Sequence, residues 1–258
     1  MEPLGWHVTF RARDSRVLAP DTPAQRRVAR TLHRIGGGFG LFGFRCSDDH
    51  LHAVNRCTRE EGSGFAQAVG AALSQVLDVG VGFAPAHFEA IRDQAHVDRA
   101  FHYVLRNEER HRADVDPMHD ASCIQELLGL RLGPEGFIQR VRKTVRRVTR
   151  EALLEHLKVP TLEPLVRLDW LADAAAGAIG LPELDGTFPS VRARTAAVRV
   201  ACDHHLPDAV AQALGISVRT VRRMRAVEPD ERLERAITLR MGLRNALGDR
   251  VSPGRLIR

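Results

Sequence analysis

Residues 6–12 alternate, with Trp6, Val8, Phe10 and Ala12 set against His7, Thr9 and Arg11. A period of two predicts a half-buried β-strand. From 22 to 35 the spacing changes to three and four, with Val28, Leu32 and Ile35 on one side and three glycines at 36–38 behind them. That pattern predicts a helix stopped by glycine. Two strand-like runs follow, at 39–46 and 50–57. A second helix is expected to start at a Ser63 cap and to carry Phe65, Val69, Ala72 and Val76 along one side. A third, at 95–110, has Val97, Phe101, Val104 and Leu105 as its apolar stripe. The order β, α, β, β, α implies an α+β unit, an antiparallel sheet with helices on one face.

Beyond 116 the pattern becomes loop-like and then enters a basic stretch at 137–158. Phe137, Val141, Val145 and Val148 make one side of an expected helix, and Arg140, Arg142, Lys143, Arg146, Arg147 and Arg150 fill the rest, with no acid between 137 and 150. Unpaired positive charge along one helix suits a phosphate backbone. Pro160 and Pro164 mark a boundary, and the last hundred residues read as helix throughout. Within 206–226, Ala209, Val210, Ala213 and Leu214 form a short apolar helix, Gly215 permits a tight turn, and Ser217 can cap a second helix with Val221 and Met224 inward. This is helix-turn-helix spacing, and it turns Arg219, Thr220, Arg222, Arg223 and Arg225 outward. Three segments are therefore expected: 1–116, the α+β unit; 117–160, a loop and basic helix; and 161–258, an all-α domain.

A chain of 258 residues with 44% hydrophobic and 27% charged residues has ordinary globular composition and can bury a core. Four cysteines, at 46, 57, 123 and 202, form no C-x-x-C pair, and the first ten residues lack a basic start with an apolar core behind it. The expectation is a reduced, cytoplasmic protein with no membrane span. Net charge is +6, and of 38 basic residues only Lys143 and Lys158 are lysines. Arginine is the planar, bidentate partner of phosphates and base edges. A GC-rich genome also enriches arginine, so the positions of the arginines must decide.

Candidate chemistry centres on "DDHLHAV". On a strand, His50 and His52 project to one face, where two imidazoles can share a metal ion. Tyr103 lies two positions from Phe101, about 200° around a helix, so it points away from the apolar stripe. Its own side carries Arg99, Arg106, Asn107 and Arg110, and it is the only tyrosine in the chain. A zinc site from Cys46, His50, His52 and Cys57 is the weaker alternative, because the C-x3-H-x-H-x4-C spacing matches no motif. His111 and His204–His205 read as surface or structural histidines.

Three stretches in order, "WHVTFRA", "DDHLHAV" and "FHYVLRN", resemble the REP-associated tyrosine transposases, a group of single-tyrosine HUH transposases. They look like that family's opening strand, its H-hydrophobic-H segment and its tyrosine-to-asparagine segment. The resemblance covers under half the chain. Two departures stand out: Asp48–Asp49 where the family has Pro-Asn, and Glu108 where it has Pro. The resemblance implies an HUH-type, ferredoxin-like fold in 1–116. It implies cleavage and rejoining of single-stranded or hairpin DNA, with Tyr103 as nucleophile and a 5′-phosphotyrosine intermediate. His50, His52 and Asn107 would ligate Mg2+ or Mn2+, and Asp48 or Asp49 would orient a histidine. DNA contacts are expected from Arg99, Arg106 and Arg110, from Arg140, Lys143 and Arg147, and, on duplex DNA, from Arg219, Arg222 and Arg223. The protein would act as a monomer or homodimer. The competing expectation is a non-catalytic helix-turn-helix regulator derived from a transposase, which binds duplex DNA without metal.

Overall fold

A computed structural model describes residues 2–106, 116–156, 162 and 165–248. The chain divides into two compact units, one of Met1–Leu127 with Gly133–Leu153 and the other of Leu128–Leu132 with Leu154–Ser252.

In the first unit the alternating opening segment is β1 (Gly5–Arg11), followed by α1 (Thr22–Gly36), β2 (Leu41–Ser47), β3 (His50–Asn55), α2 (Arg59–Val76), β4 (His87–Ile91) and α3 (Gln94–Leu105). The four strands form one antiparallel sheet in the order β2-β3-β1-β4. Val8, Phe10, Leu51 and Ala53 point to one side, where Phe10 meets Phe65 of α2 edge-on at 6.0 Å. His7, Thr9, His50 and His52 point to the other. The expectation of helices on one face is corrected here, because α3 lies across this second face with Phe101 stacked on Phe42 at 6.2 Å. The physical reason is the α3 stripe itself: Val97, Phe101, Val104 and Leu105 are all buried, and the first face is already covered by α1 and α2.

Gly43 makes the close approach of α3 possible. A Cβ there would lie 2.8 Å from a Val54 methyl and 2.9 Å from the Phe101 ring. We expect Gly43→Ala to cost about 1–3 kcal/mol by overpacking, with a lower midpoint in thermal denaturation followed by circular dichroism. An unchanged midpoint would mean that α3 does not depend on this close approach.

Other elements differ from the sequence expectations. The cap of α2 is Thr58 rather than Ser63: its side chain accepts from the Glu61 amide at 3.2 Å while Glu61 accepts from the Thr58 amide at 2.8 Å. Ser63 sits inside the helix and bonds back to the Arg59 carbonyl. The buried row on α2 is Phe65, Val69 and Leu73, and Val76 is exposed. The basic stretch is two helices, α5 (Phe137–Thr144) and α6 (Arg150–His156), following the short α4 (Ile124–Leu127). Val145 is extended and Arg147 has φ +58°, so no single helix face runs through the six basic residues. β-branched residues at 144, 145, 148 and 149 disfavour helix across the break. The outer edge of β2 is covered by 121–123, through Cys46 N–H to Ala121 O at 2.9 Å and Cys123 N–H to Phe44 O at 3.1 Å. A buried pair, Arg26 with Asp120 at 2.7 Å, ties that segment to α1.

The second unit is helical among the described residues: α7 (Leu168–Ala178), α8 (Phe188–Cys202), α9 (Pro207–Leu214), α10 (Val218–Arg225) and α11 (Glu231–Leu247). Its core joins Leu171, Ala197, Val210, Val221, Leu233 and Ile237. Gly177 leaves room for the buried Arg240 guanidinium, which a Cβ would strike. Gly215 adopts φ +62° between α9 and α10, and the Ser217 side chain accepts from the Thr220 amide at 3.1 Å. Val221 and Met224 face inward, while Arg219, Arg222, Arg223 and Arg225 are exposed. No helix among the described residues is long and apolar enough to cross a membrane.

Candidate functional site

β3 is an inner strand, so the face that carries His50 and His52 is shielded by β2 on one flank and β1 on the other. The two imidazoles are 7% and 4% exposed, with ring centroids 4.6 Å apart and planes nearly perpendicular. Strand alternation therefore brings them together, as the H-x-H spacing predicts. His50 Nδ1 donates to Asp49 Oδ1 at 2.8 Å, and Arg11 Nε lies 3.4 Å from the other Asp49 oxygen. Partial burial acts to raise the Asp49 carboxyl, but the hydrogen bond from His50 and the Arg11 charge hold it below the usual range.

His52 is held from β1. Thr9 is its cross-strand partner, and Thr9 Oγ1 lies 3.1 Å from His52 Nδ1. The same nitrogen lies 2.9 Å from His7 Nε2. His7 in turn places Nδ1 3.4 Å from Glu89 Oε2 on β4, and His96 of α3 approaches the other Glu89 oxygen at 3.6 Å. Burial pushes the His7 imidazole below its ordinary range, against the raising effect of Glu89. Sequence reasoning does not single out His7, Thr9 or Glu89, although the alternation of β1 sets His7 and Thr9 on one face. The signal it lacks is the register that sets Thr9 opposite His52.

Tyr103 is half-buried on α3 and completes the group. Its ring centroid is 5.4 Å from that of His52 and 5.4 Å from that of His7, edge-on to both. The reason is rotational: Phe101 and Val104 anchor α3 on the sheet, and Tyr103 emerges beside them toward the histidines. Arg99 is exposed and Arg106 is half-buried at the helix end, where its amide donates to the His102 and Tyr103 carbonyls. Asn107 and Arg110 lie outside the described residues.

The structure distributes the remaining expected residues elsewhere. Arg140 donates to the Leu41 carbonyl at 2.9 Å, Lys143 is exposed on α5, and Arg147 is exposed within the break that follows it. Cys46 is the cross-strand partner of Leu51 and so faces away from the two histidines. Among the described residues no group of three or more His, Cys, Asp or Glu side chains is arranged to hold a metal ion, which removes the four-residue zinc alternative. His50 and His52 remain as a two-nitrogen donor pair. With His50 Nδ1 engaged by Asp49 and His52 Nδ1 by Thr9 and His7, Nε2 is the coordinating nitrogen each would present, a fit to a divalent cation completed by oxygen ligands. Compared with family models, with characterised proteins and with solved structures, the chain gives no match.

Proposed function

We propose that the chain is a transposase-like endonuclease and strand transferase acting on single-stranded or hairpin DNA, with Tyr103 as the nucleophile and His50 and His52 as ligands of Mg2+ or Mn2+. The observation that carries this reading is the convergence of the sole tyrosine with the H-x-H pair on one sheet face, from elements distant in sequence. A structural histidine pair needs no phenol beside it. The HUH-type description of the first unit and the helix-turn-helix description of α9–α10 belong to this same proposal.

In the proposed reaction the Tyr103 oxygen attacks the scissile phosphorus in line with the departing 3′ oxygen. The O–P bond to tyrosine forms as the P–O3′ bond breaks, the phenolic proton passes to solvent, and the 3′ oxygen takes up a proton. The 5′ phosphate is left on Tyr103, and the reverse displacement by a 3′ hydroxyl rejoins the strand. A bound divalent ion would polarise the phosphate and offset charge on its oxygens. His50 and His52 would hold that ion, with Asn107 as the third ligand suggested by the family resemblance. Arg99 and Arg106 flank Tyr103 along the chain and would grip the backbone, together with Arg110. A denaturing gel tests this reading. A covalent protein–DNA band should form on hairpin DNA with Mg2+ or Mn2+ and vanish with EDTA, and a band insensitive to EDTA would exclude the metal-dependent mechanism.

The second unit is proposed to bind duplex DNA through α10. Its outward arginines lack acidic neighbours on the helix, and Ser217 and Thr220 stand at its start. We expect the full chain with Arg219, Arg222 and Arg223 changed to alanine to bind duplex more weakly, with the slope of log affinity against log salt shallower by up to about 0.9 for each phosphate that is no longer neutralised. The covalent band on single-stranded hairpin DNA should persist. If duplex binding falls while wild-type protein forms no covalent band under any metal condition, the non-catalytic regulator is the better description.

A further inference from the structure

We infer that Glu89, His7 and His52 form a hydrogen-bonded chain across three strands that holds His52 in its Nδ1–H tautomer, which makes His7 a positioning residue for the proposed reaction. The inference rests on that reading for its purpose, but the chain itself is a property of the folded sheet. A carboxylate oxygen can only accept, so Glu89 Oε2 facing His7 Nδ1 places the His7 proton on Nδ1. His7 Nε2 is then an acceptor, and it lies 2.9 Å from His52 Nδ1. That nitrogen must carry the His52 proton, with Thr9 Oγ1 as a second acceptor at 3.1 Å. The lone pair of His52 is thereby placed on Nε2. His50 is oriented in the same sense by Asp49 directly. The two histidines would thus present matching nitrogens, one set by an adjacent carboxylate and the other by a carboxylate relayed through an imidazole.

Relay through a second ring has a geometric cause. On β3 the residue before His52 is Leu51, which points to the opposite face, so no neighbour can do for His52 what Asp49 does for His50. On the other flank the cross-strand partner of His52 is Arg45, whose guanidinium can only donate, so among the neighbouring strands of the described sheet it is β1 that offers acceptors. Thr9 and His7 lie on that strand two positions apart on the correct face, and Glu89 pairs with His7 on the next strand out. Burial of His7 and His52, at 6% and 4% exposure, keeps water from competing for these nitrogens.

The test uses the full-length chain without metal, by long-range proton–nitrogen correlation spectra of its histidine rings, followed by Mn2+ titration read by electron paramagnetic resonance. Wild-type His52 should be Nδ1–H. His7→Phe, which keeps a ring against Tyr103 but removes the acceptor, should raise the Nε2–H population of His52 and weaken Mn2+ binding by about 10-fold or more. Glu89→Ala, at a strand position 56% exposed in its side chain, should move the tautomer in the same direction without unfolding the unit. His7→Gln, which restores an acceptor oxygen, should recover part of the loss. A wild-type His52 that is Nε2–H, or variants whose tautomer and Mn2+ affinity match wild type, would overturn the inference. A wild-type His52 that is Nδ1–H in a protein that takes up no Mn2+ would support the chain and overturn the metal-dependent reading instead.

Discussion

Tyr103→Phe should eliminate the covalent DNA adduct and leave binding of hairpin DNA within about twofold of wild type. Only the oxygen proposed to attack is removed, and the ring that packs edge-on against His7 and His52 stays in place. No second tyrosine exists to take over. The cleavage rate should fall by on the order of 10^4-fold or more, the scale seen when a covalent nucleophile is removed. Stability should change by less than about 1 kcal/mol, because Tyr103 is half-buried and α3 is anchored by Val97, Phe101 and Val104. Quenched-flow cleavage assays and filter binding on one protein preparation separate the two effects. A variant that still captures DNA would mean that the reaction proceeds through another nucleophile.

His50→Ala and His52→Ala should each reduce metal-supported adduct formation by at least about 100-fold, with the larger effect on stability at His52. The difference follows from the partners left behind. Truncating His52 strands the buried His7 Nε2 and removes a partner of the half-buried Thr9 Oγ1, at a cost of about 1–3 kcal/mol. Truncating His50 releases Asp49, which is partly solvated and retains Arg11. Isothermal titration with Mn2+ and chemical denaturation check the pair. Equal stability losses in the two variants would contradict the asymmetry in their surroundings, and full metal affinity in either would remove that histidine from the ligand set.

Much of the α+β unit is legible in its periodicities, because β1 alternates cleanly and α1 and α3 keep their apolar positions three and four apart. The H-x-H pair and the isolated tyrosine on α3 are equally visible. Long-range register is not visible, and it governs the rest of the site. Nothing local to "WHVTF" announces that His7 will meet His52, since that depends on the pairing of β1 with β3. β4 is five residues long and follows Pro85, too brief for alternation to stand out, yet it supplies Glu89. The Thr58 cap carries a readable signal, because Thr58 and Glu61 have the T-x-x-E spacing of a capping box. Ser63 competes only as a residue type. The break after α5 shows the opposite failure: a valine every three or four residues predicts a continuous helix, while the β-branched cluster and the left-handed Arg147 end it. That break separates Lys143 from Arg147 and leaves no continuous basic ridge along 137–150.

The placement of α3 explains why the helices cover both sheet faces. An α+β unit of this size needs its third apolar stripe buried, and with α1 and α2 on one side the remaining surface was the histidine face. Gly43 and Val54 provide the apolar floor there beside the polar cluster. The packing that buries Phe101 therefore also sets the distance of Tyr103 from His52.

Mass spectrometry of the trapped complex identifies the residue joined to DNA, proposed to be Tyr103. Full-length protein is incubated with a single-stranded hairpin oligonucleotide and Mn2+, the covalent band is isolated under denaturing conditions, and nuclease and protease digestion reduce it to a peptide bearing a short nucleotide remnant. The remnant should lie on the peptide containing Phe101, His102 and Tyr103, linked through the 5′ phosphate to the tyrosine oxygen. A remnant on any other residue, or cleavage with no covalent peptide at all, would contradict it.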